Sequence, residues 1–222
     1  NTCEVSFSRT VKDTLHARAK GSGSCLILHV GQNSLPADLG TWLVVRYIRE
    51  RWGLATRRVD SYVKIDDFVL SGACYEGLME GNYWPGVVQP GDSPFLLGGV
   101  RCTGVREEER MSKEQPVEHK RVQVQCLLGP ACDRLVVRAT CGLMDSVQPY
   151  GRKFSYNNWI PYREKRLAQE DILKGLILVK KLRSLIEEKK VPPMGSGPCE
   201  QMRRRSNCTM IFWGQAEAAD QE

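Results

Sequence analysis

The sequence predicts an α+β fold: a curved, mainly antiparallel sheet with one helix in the N-terminal half and a long C-terminal helix packed across it. Three observations lead to this prediction. Segments rich in β-branched and aromatic residues cluster between residues 59 and 141, two segments carry apolar residues at helical spacing, and Gly- and Pro-rich connections separate them. The chain has 222 residues, of which 41% are hydrophobic and 26% charged, a composition typical of a soluble globular protein.

The N-terminal part is predicted to hold two strands followed by one helix. Residues 3–11 alternate between apolar and polar side chains, and residues 25–30 form a continuous apolar run typical of a strand buried on both faces. The helix begins after Ser34, whose hydroxyl can cap its first turn, and a proline follows within that turn. It ends near Trp52, because Gly53 is a typical C-terminal glycine.

The middle of the chain is predicted to be mainly β-structure. The predicted strands are residues 59–70, 95–105, 117–128 and 133–141. The last two form the clearest hairpin, because Gly129-Pro130 supplies a turn between two alternating segments. Two long Gly- and Pro-rich connections, residues 72–94 and 142–160, complete this region.

The run from residue 161 to 190 is predicted to be one long helix with charged ends and an apolar middle. Its sheet-facing residues at helical spacing are Ile172, Leu176, Val179, Leu182 and Ile186. Further apolar residues widen this face, namely Ile177, Leu178 and Leu185. We therefore expect a cover in the form of a protein partner, a ligand or the apolar tail segment around Phe212 and Trp213. Residues 1–190 are interpreted as a single domain, and residues 191–222 as a linker and tail.

The net charge of +6 is concentrated in two stretches, residues 46–58 and 161–190. Two local basic patches on a near-neutral background favour an acidic protein surface, RNA or a lipid headgroup as the partner, although solvated helix faces carry the same pattern. No apolar run approaches the roughly 18–20 residues that a transmembrane helix needs.

The nine cysteines bear on the cellular compartment. Their spacing lacks the paired arrangement of a zinc site, and no metal is predicted. Reduced, buried thiols favour an intracellular protein, whereas a disulfide framework in a secreted protein remains an alternative.

No segment predicts a specific catalytic site. Gly91-Asp92-Ser93 matches a serine-esterase nucleophile block in three letters, but a Pro-Gly turn explains it as well. Asp60, Asp66 and Asp67 could contribute to a magnesium-dependent nuclease, although adjacent carboxylates in a strand point to opposite faces.

His29 is one further candidate for catalysis, whereas no nucleotide-binding motif is present in the sequence. His29 lies in an apolar run and could act as a base for Cys74 or Cys102, or it could be a hydrogen-bonded core histidine. Phosphate-binding loops are absent from the sequence, so no cofactor is predicted.

The sequence therefore predicts a binding protein rather than an enzyme, with another protein or RNA as its partner; the oligomeric state is left open. The predicted binding residues for an acidic partner or nucleic acid are Arg46, Arg49, Arg51, Arg57, Arg58 and Trp84. The predicted interaction surface around the long helix and tail consists of Leu176, Leu178, Leu185, Phe212 and Trp213. The alternatives are an apolar-ligand or lipid-binding domain, with its cavity between sheet and terminal helix, and a hydrolase or metal-dependent nuclease.

Overall fold

The structure is a computed structural model of the chain. It describes residues 8, 10–31, 34–67, 70–72, 74–75, 97–98, 125–128, 131–151, 153–162, 165–193 and 195–217. Of the predicted strand 95–105 only residues 97–98 are described, and the predicted strand residues 117–124 lie outside the described residues, as does most of the connection 72–94. Of the predicted strand 3–11 only residues 8, 10 and 11 are described, and these are helical, so the prediction of a strand is wrong there.

A four-stranded mixed sheet forms the centre of the α+β fold. Its strands are β1 (Thr56–Asp66), β2 (Gln125–Leu128), β3 (Ser155–Tyr162) and β4 (Asn207–Ala216). Their order across the sheet is β2-β3-β1-β4, so β4 is an edge strand. Strands β1 and β3 are parallel, whereas β2 pairs antiparallel with β3, and β4 antiparallel with β1. The prediction of a mainly antiparallel sheet was therefore wrong at its centre. A parallel pair needs a long crossover, which the chain between β1 and β3 provides.

Five α-helices and one π-helical turn accompany the sheet in the described part of the chain. The π-helical turn Val11–Leu15 leads directly into α1 (His16–Ser22). The remaining helices are α2 (Leu35–Trp52), α3 (Ala131–Leu143), α4 (Lys165–Glu187) and α5 (Glu200–Arg205). Helix α2 confirms the helix predicted after Ser34, and Gly53 ends it in the left-handed conformation at φ 69°. The Ser34 side chain makes no capping hydrogen bond.

Several predicted elements differ from the structure. Residues 25–30 form no strand, and His29 has a positive φ of 58°. The segment predicted as strand 133–141 lies in helix α3, and three of its buried residues, Arg134, Val137 and Cys141, recur at helical spacing. Strand β3 lies at the end of the segment predicted as a connection.

The C-terminal elements also pack differently from the prediction. Helix α4 lies within the predicted range 161–190, but its main contacts are with β2 and β3, at one side of the sheet. Its buried residue Leu182 packs with Leu70, Tyr75 and Ile186 in a small separate cluster. Residues 207–216, assigned to a tail from the sequence, form β4 of the central sheet.

The main core lies between the sheet and the helices α2 and α3. Its fully enclosed members include Val45 of α2, Val59 of β1 and Val137 of α3. Helix α2 approaches β4 closely, because Gly40 faces the ring of Phe212, and Gly214 of β4 faces Val44 and Ile48 of α2. Among the described residues, no helix is long and apolar enough to cross a membrane.

Candidate functional site

The outer face of helix α2 carries an exposed apolar stripe. Its four residues recur at every fourth position, and their exposed fractions are 37% for Leu35, 49% for Leu39, 56% for Leu43 and 60% for Tyr47. Trp52, at the end of the helix, is 56% exposed, and its ring meets that of Tyr47 edge to face at 5.5 Å. We call these five residues the α2 stripe. A surface helix normally shows polar residues on this side, so this apolar stripe is a candidate interaction surface.

The opposite face of α2 explains why the stripe is not needed for folding. Ala37, Thr41, Val45 and Ile48 are buried against the sheet and α3, and they recur at three- and four-residue spacing. The helix therefore has two apolar faces, one that packs in the core and one that is open to solvent. Sequence reasoning missed the α2 stripe, although the leucines at every fourth position of the helix were a readable signal.

Three of the five predicted arginines are exposed on helix α2 or shortly after it, and none of the three is part of the core. Arg46 pairs with Glu50 at 2.6 Å, one turn further along α2, and its guanidinium lies 5.5 Å from the ring centre of Trp42. Arg51 and Arg57 are exposed, and neither forms an ion pair with another described residue. Arg46 and Arg51 place positive charge on the C-terminal half of α2, and Arg57 lies near the start of β1, shortly after the helix ends. We call these three residues the arginine border.

The other two arginines stabilise the fold. Arg49 donates a hydrogen bond to the backbone carbonyl of Pro149, which ties the end of α2 to the chain before β3. The Arg58 guanidinium lies 2.6 Å from a carboxylate oxygen of Asp60, whose side chain is fully buried. Asp60 also accepts a hydrogen bond of 2.9 Å from the indole nitrogen of Trp159. The positive charge of Arg58 therefore stabilises the buried carboxylate of Asp60.

The predicted surface around the long helix and tail is dispersed. Phe212 faces Gly40 and packs against the main core, whereas Trp213, its neighbour in β4, points to the other face of the sheet and is 39% exposed. Leu178 and Leu185 are half-buried in α4. Trp84 and the side chain of Leu176 lie outside the described residues.

The residues considered for a nuclease do not converge. Asp66 pairs with Lys64 at 2.9 Å, and Asp67 lies 3.4 Å from Arg205, while Asp60 is enclosed by Arg58. Within the described ranges, no group of three or more metal-ligating side chains is present.

No described contact joins His29 to either thiol that was considered as its partner. Cys74 accepts a hydrogen bond of 3.1 Å from Ser71, and Cys102 lies outside the described residues, as does Gly91-Asp92-Ser93. His29 instead lies 2.8 Å from the hydroxyl of Ser8. The cysteines that the structure describes as free thiols are Cys25, Cys74, Cys132, Cys141, Cys199 and Cys208.

A partly buried carboxylate on α2 contacts helix α3. Asp38, in the first turn of α2, accepts a hydrogen bond of 2.7 Å from the Thr140 hydroxyl of α3. Burial raises the pKa of Asp38 from its ordinary value of 3.8 to about 6, and the Thr140 hydrogen bond opposes part of that increase. We therefore expect the stability of the contact between α2 and α3 to depend on pH.

Comparisons with known proteins do not identify this chain: no protein-family model, no curated protein and no solved structure matches it.

Proposed function

We propose that this protein binds another protein, and that the α2 stripe with its arginine border receives an acidic amphipathic helix of that partner. The observation that carries this proposal is the exposure of four apolar side chains at every fourth position of a helix whose other face already fills the core. From Leu35 to Tyr47 the stripe is about 18 Å long, at 1.5 Å per residue. A partner helix of three to four turns matches that length.

The apolar character of the stripe favours a protein over RNA. Three of the five stripe residues are leucines, which offer neither hydrogen bonds to base edges nor aromatic faces for stacking, the usual means of RNA recognition. Packed against leucines of a partner helix, the same side chains would leave water, at roughly 25 cal/mol for each Å² of apolar surface that is buried. Tyr47 and Trp52 are residue types that commonly anchor protein interfaces.

The charge around the stripe favours an acidic partner. Between residues 35 and 58 the chain carries five arginines against Asp38 and Glu50. Arg51 and Arg57 are exposed and form no ion pair within the described structure. Acidic side chains that flank the partner's apolar face could therefore pair with these two arginines. A second copy of this chain would bring the same positive border and is therefore disfavoured.

The test uses two labelled helical peptides with identical leucine faces, one flanked by Glu and the other by Lys, and fluorescence anisotropy as the readout. We expect the acidic peptide to bind and the basic peptide to bind at least about 10-fold more weakly. L39D/L43D should weaken binding of the acidic peptide by about 10-fold or more, because it places charge in the apolar contact. R51E/R57E should weaken binding at low salt and much less at high salt.

The matched control is L173D, because Leu173 is a similarly exposed leucine (58%) on helix α4. This variant should bind like the wild type. Failure of both peptides to bind, or equal binding by L39D/L43D, would contradict the proposal. Binding of an RNA oligonucleotide that L39D/L43D leaves intact, or self-association that this variant abolishes, would also contradict it.

A further inference from the structure

The structure contains a cavity of about 500 Å³, away from the α2 stripe. It lies between the N-terminal helical segment, the chain from residue 24 to 29, and helix α3. Its apolar walls come from Val11, Leu26, Leu28, Val136, Ala139 and Leu143. The volume falls within the range of about 300–1,000 Å³ that is usual for small-molecule sites, so the cavity is large enough for a ligand.

A serine and a histidine meet in the wall of this cavity. The hydroxyl oxygen of Ser8 lies 2.8 Å from Nε2 of His29, and both residues line the cavity. Both are buried, with 1% of Ser8 and 7% of His29 exposed. A hydroxyl within hydrogen-bond distance of an imidazole nitrogen is the arrangement by which a base activates a serine nucleophile.

Two uncommon backbone conformations lie next to this pair, one at His29 and one shortly after Ser8. His29 has a φ of 58°, in the left-handed region that is uncommon for residues other than glycine. The π-helical turn Val11–Leu15 lines the same cavity with Val11 and Lys12. Uncommon φ values and π-helical turns both concentrate at functional sites, because the surrounding structure must stabilise them.

We propose that the Ser8–His29 pair hydrolyses small carboxylic esters whose acyl group is apolar. The apolar walls fit an acyl chain, and the exposed side chains of Lys12, His16 and Lys20 also line the cavity, so its open side suits a polar or anionic end of the substrate. This inference is independent of the α2 stripe.

The chemistry needs only water as a second reactant. Ser8 Oγ attacks the ester carbonyl carbon while His29 Nε2 accepts the hydroxyl proton, and the C–O bond to the alcohol breaks as His29 returns that proton to the alcohol oxygen. Water, deprotonated by His29, then attacks the acyl-serine, and the proton passes to Ser8 Oγ as the carboxylic acid leaves.

The test uses an alkyl fluorophosphonate, which phosphonylates activated serines, with intact-protein mass spectrometry and peptide mapping. We expect one adduct on Ser8 of the wild-type protein and none in S8A. H29Q should slow labelling by about 100-fold or more, because it removes the base. Hydrolysis of p-nitrophenyl butyrate should be lost in parallel. S22A is the matched control, since Ser22 is an exposed serine of helix α1 that does not line the cavity; it should be labelled like the wild type.

Three results would overturn this proposal: no adduct on the wild-type protein, an adduct mapped to another serine, or unchanged labelling in H29Q. Mapping on the wild-type protein requires no variant, so a folding defect in S8A would not obscure the answer. Binding of fatty acids without labelling would show a ligand site without catalysis and would also overturn it.

Discussion

Replacing Asp38 with asparagine should stabilise the protein at neutral pH and have a smaller effect in acid. One carboxylate oxygen of Asp38 accepts the Thr140 hydroxyl at 2.7 Å, and the other, although buried, makes no hydrogen bond within the described structure. Because burial raises the pKa of Asp38 to about 6, the folded state holds this proton more tightly than the unfolded state. The free energy of unfolding of the wild type should therefore fall as pH rises from about 4 to about 6.

The magnitude follows from the two pKa values. With 3.8 for the unfolded chain and about 6 for the folded protein, ionisation of Asp38 costs about 1 kcal/mol at pH 4.5 and about 3 kcal/mol at pH 7.5. Asparagine keeps an acceptor for Thr140 and cannot ionise. Any pH-independent cost of its amide group cancels when the two pH values are compared. The advantage of D38N over wild type should thus grow by about 2 kcal/mol between pH 4.5 and pH 7.5.

Urea unfolding followed by circular dichroism at several pH values measures this difference. T140V is the companion variant, because valine has the shape of threonine without its hydroxyl. It should cost more at pH 7.5 than at pH 4.5 in the wild type, since the hydrogen bond stabilises the charged carboxylate, and the same amount at both pH values in D38N. If the D38N difference is flat across this range, the carboxylate does not titrate as the burial implies, and the reasoning is wrong.

Three further substitutions test the packing and the buried polar groups by chemical denaturation. G40A should lower the free energy of unfolding by about 1 kcal/mol, because the added Cβ would clash with the Phe212 ring, and this clash outweighs the better helix propensity of alanine. The double variant G40A/F212L should regain stability, because the smaller side chain removes the clash. R58L should cost about 3 kcal/mol, because it leaves the buried carboxylate of Asp60 without its cation; a loss below 1 kcal/mol would contradict a structural role. N158A should also cost about 3 kcal/mol, because the Asn158 side chain accepts a hydrogen bond of 2.8 Å from Arg134 and donates one of 3.0 Å to Asp133, both buried on α3. An unchanged free energy of unfolding would show that these two groups find other partners.

Local signals predicted the helix α2 and the strand β1, but not how the elements are arranged. The end of α2 could be read from Gly53, because a C-terminal glycine acts locally. The start was marked by Ser34 and the proline of the first turn, although the Ser34 hydroxyl makes no capping hydrogen bond. The segment 133–141 looked like a strand because Leu135, Val137 and Ala139 alternate with their neighbours. Its packing against α2 and β3 instead selects a helix, and short apolar segments are often ambiguous in this way.

The candidate sites depended still more on long-range packing. The sequence grouped Arg51, Arg57 and Arg58 in one basic cluster. In the structure, Arg58 pairs with the buried Asp60 and has a structural role, whereas Arg51 and Arg57 are exposed. His29 attracted attention as an apolar-run histidine, but its partner Ser8 lies 21 positions away and has no motif around it. Contacts of that kind follow from the folded geometry and leave no fixed spacing in the chain.

The pairing of β4 with β1 has a consequence for how the protein folds. Asp60 lies opposite Trp213, roughly 150 residues later, so the sheet has a high contact order. During synthesis, β1 remains an open edge on this side until residues 207–216 have left the ribosome. Helix α2 likewise lacks the Phe212 ring against Gly40 until then. Nascent or truncated chains that end before residue 207 should therefore expose a template for strand exchange and aggregation, and they are expected to depend on chaperones.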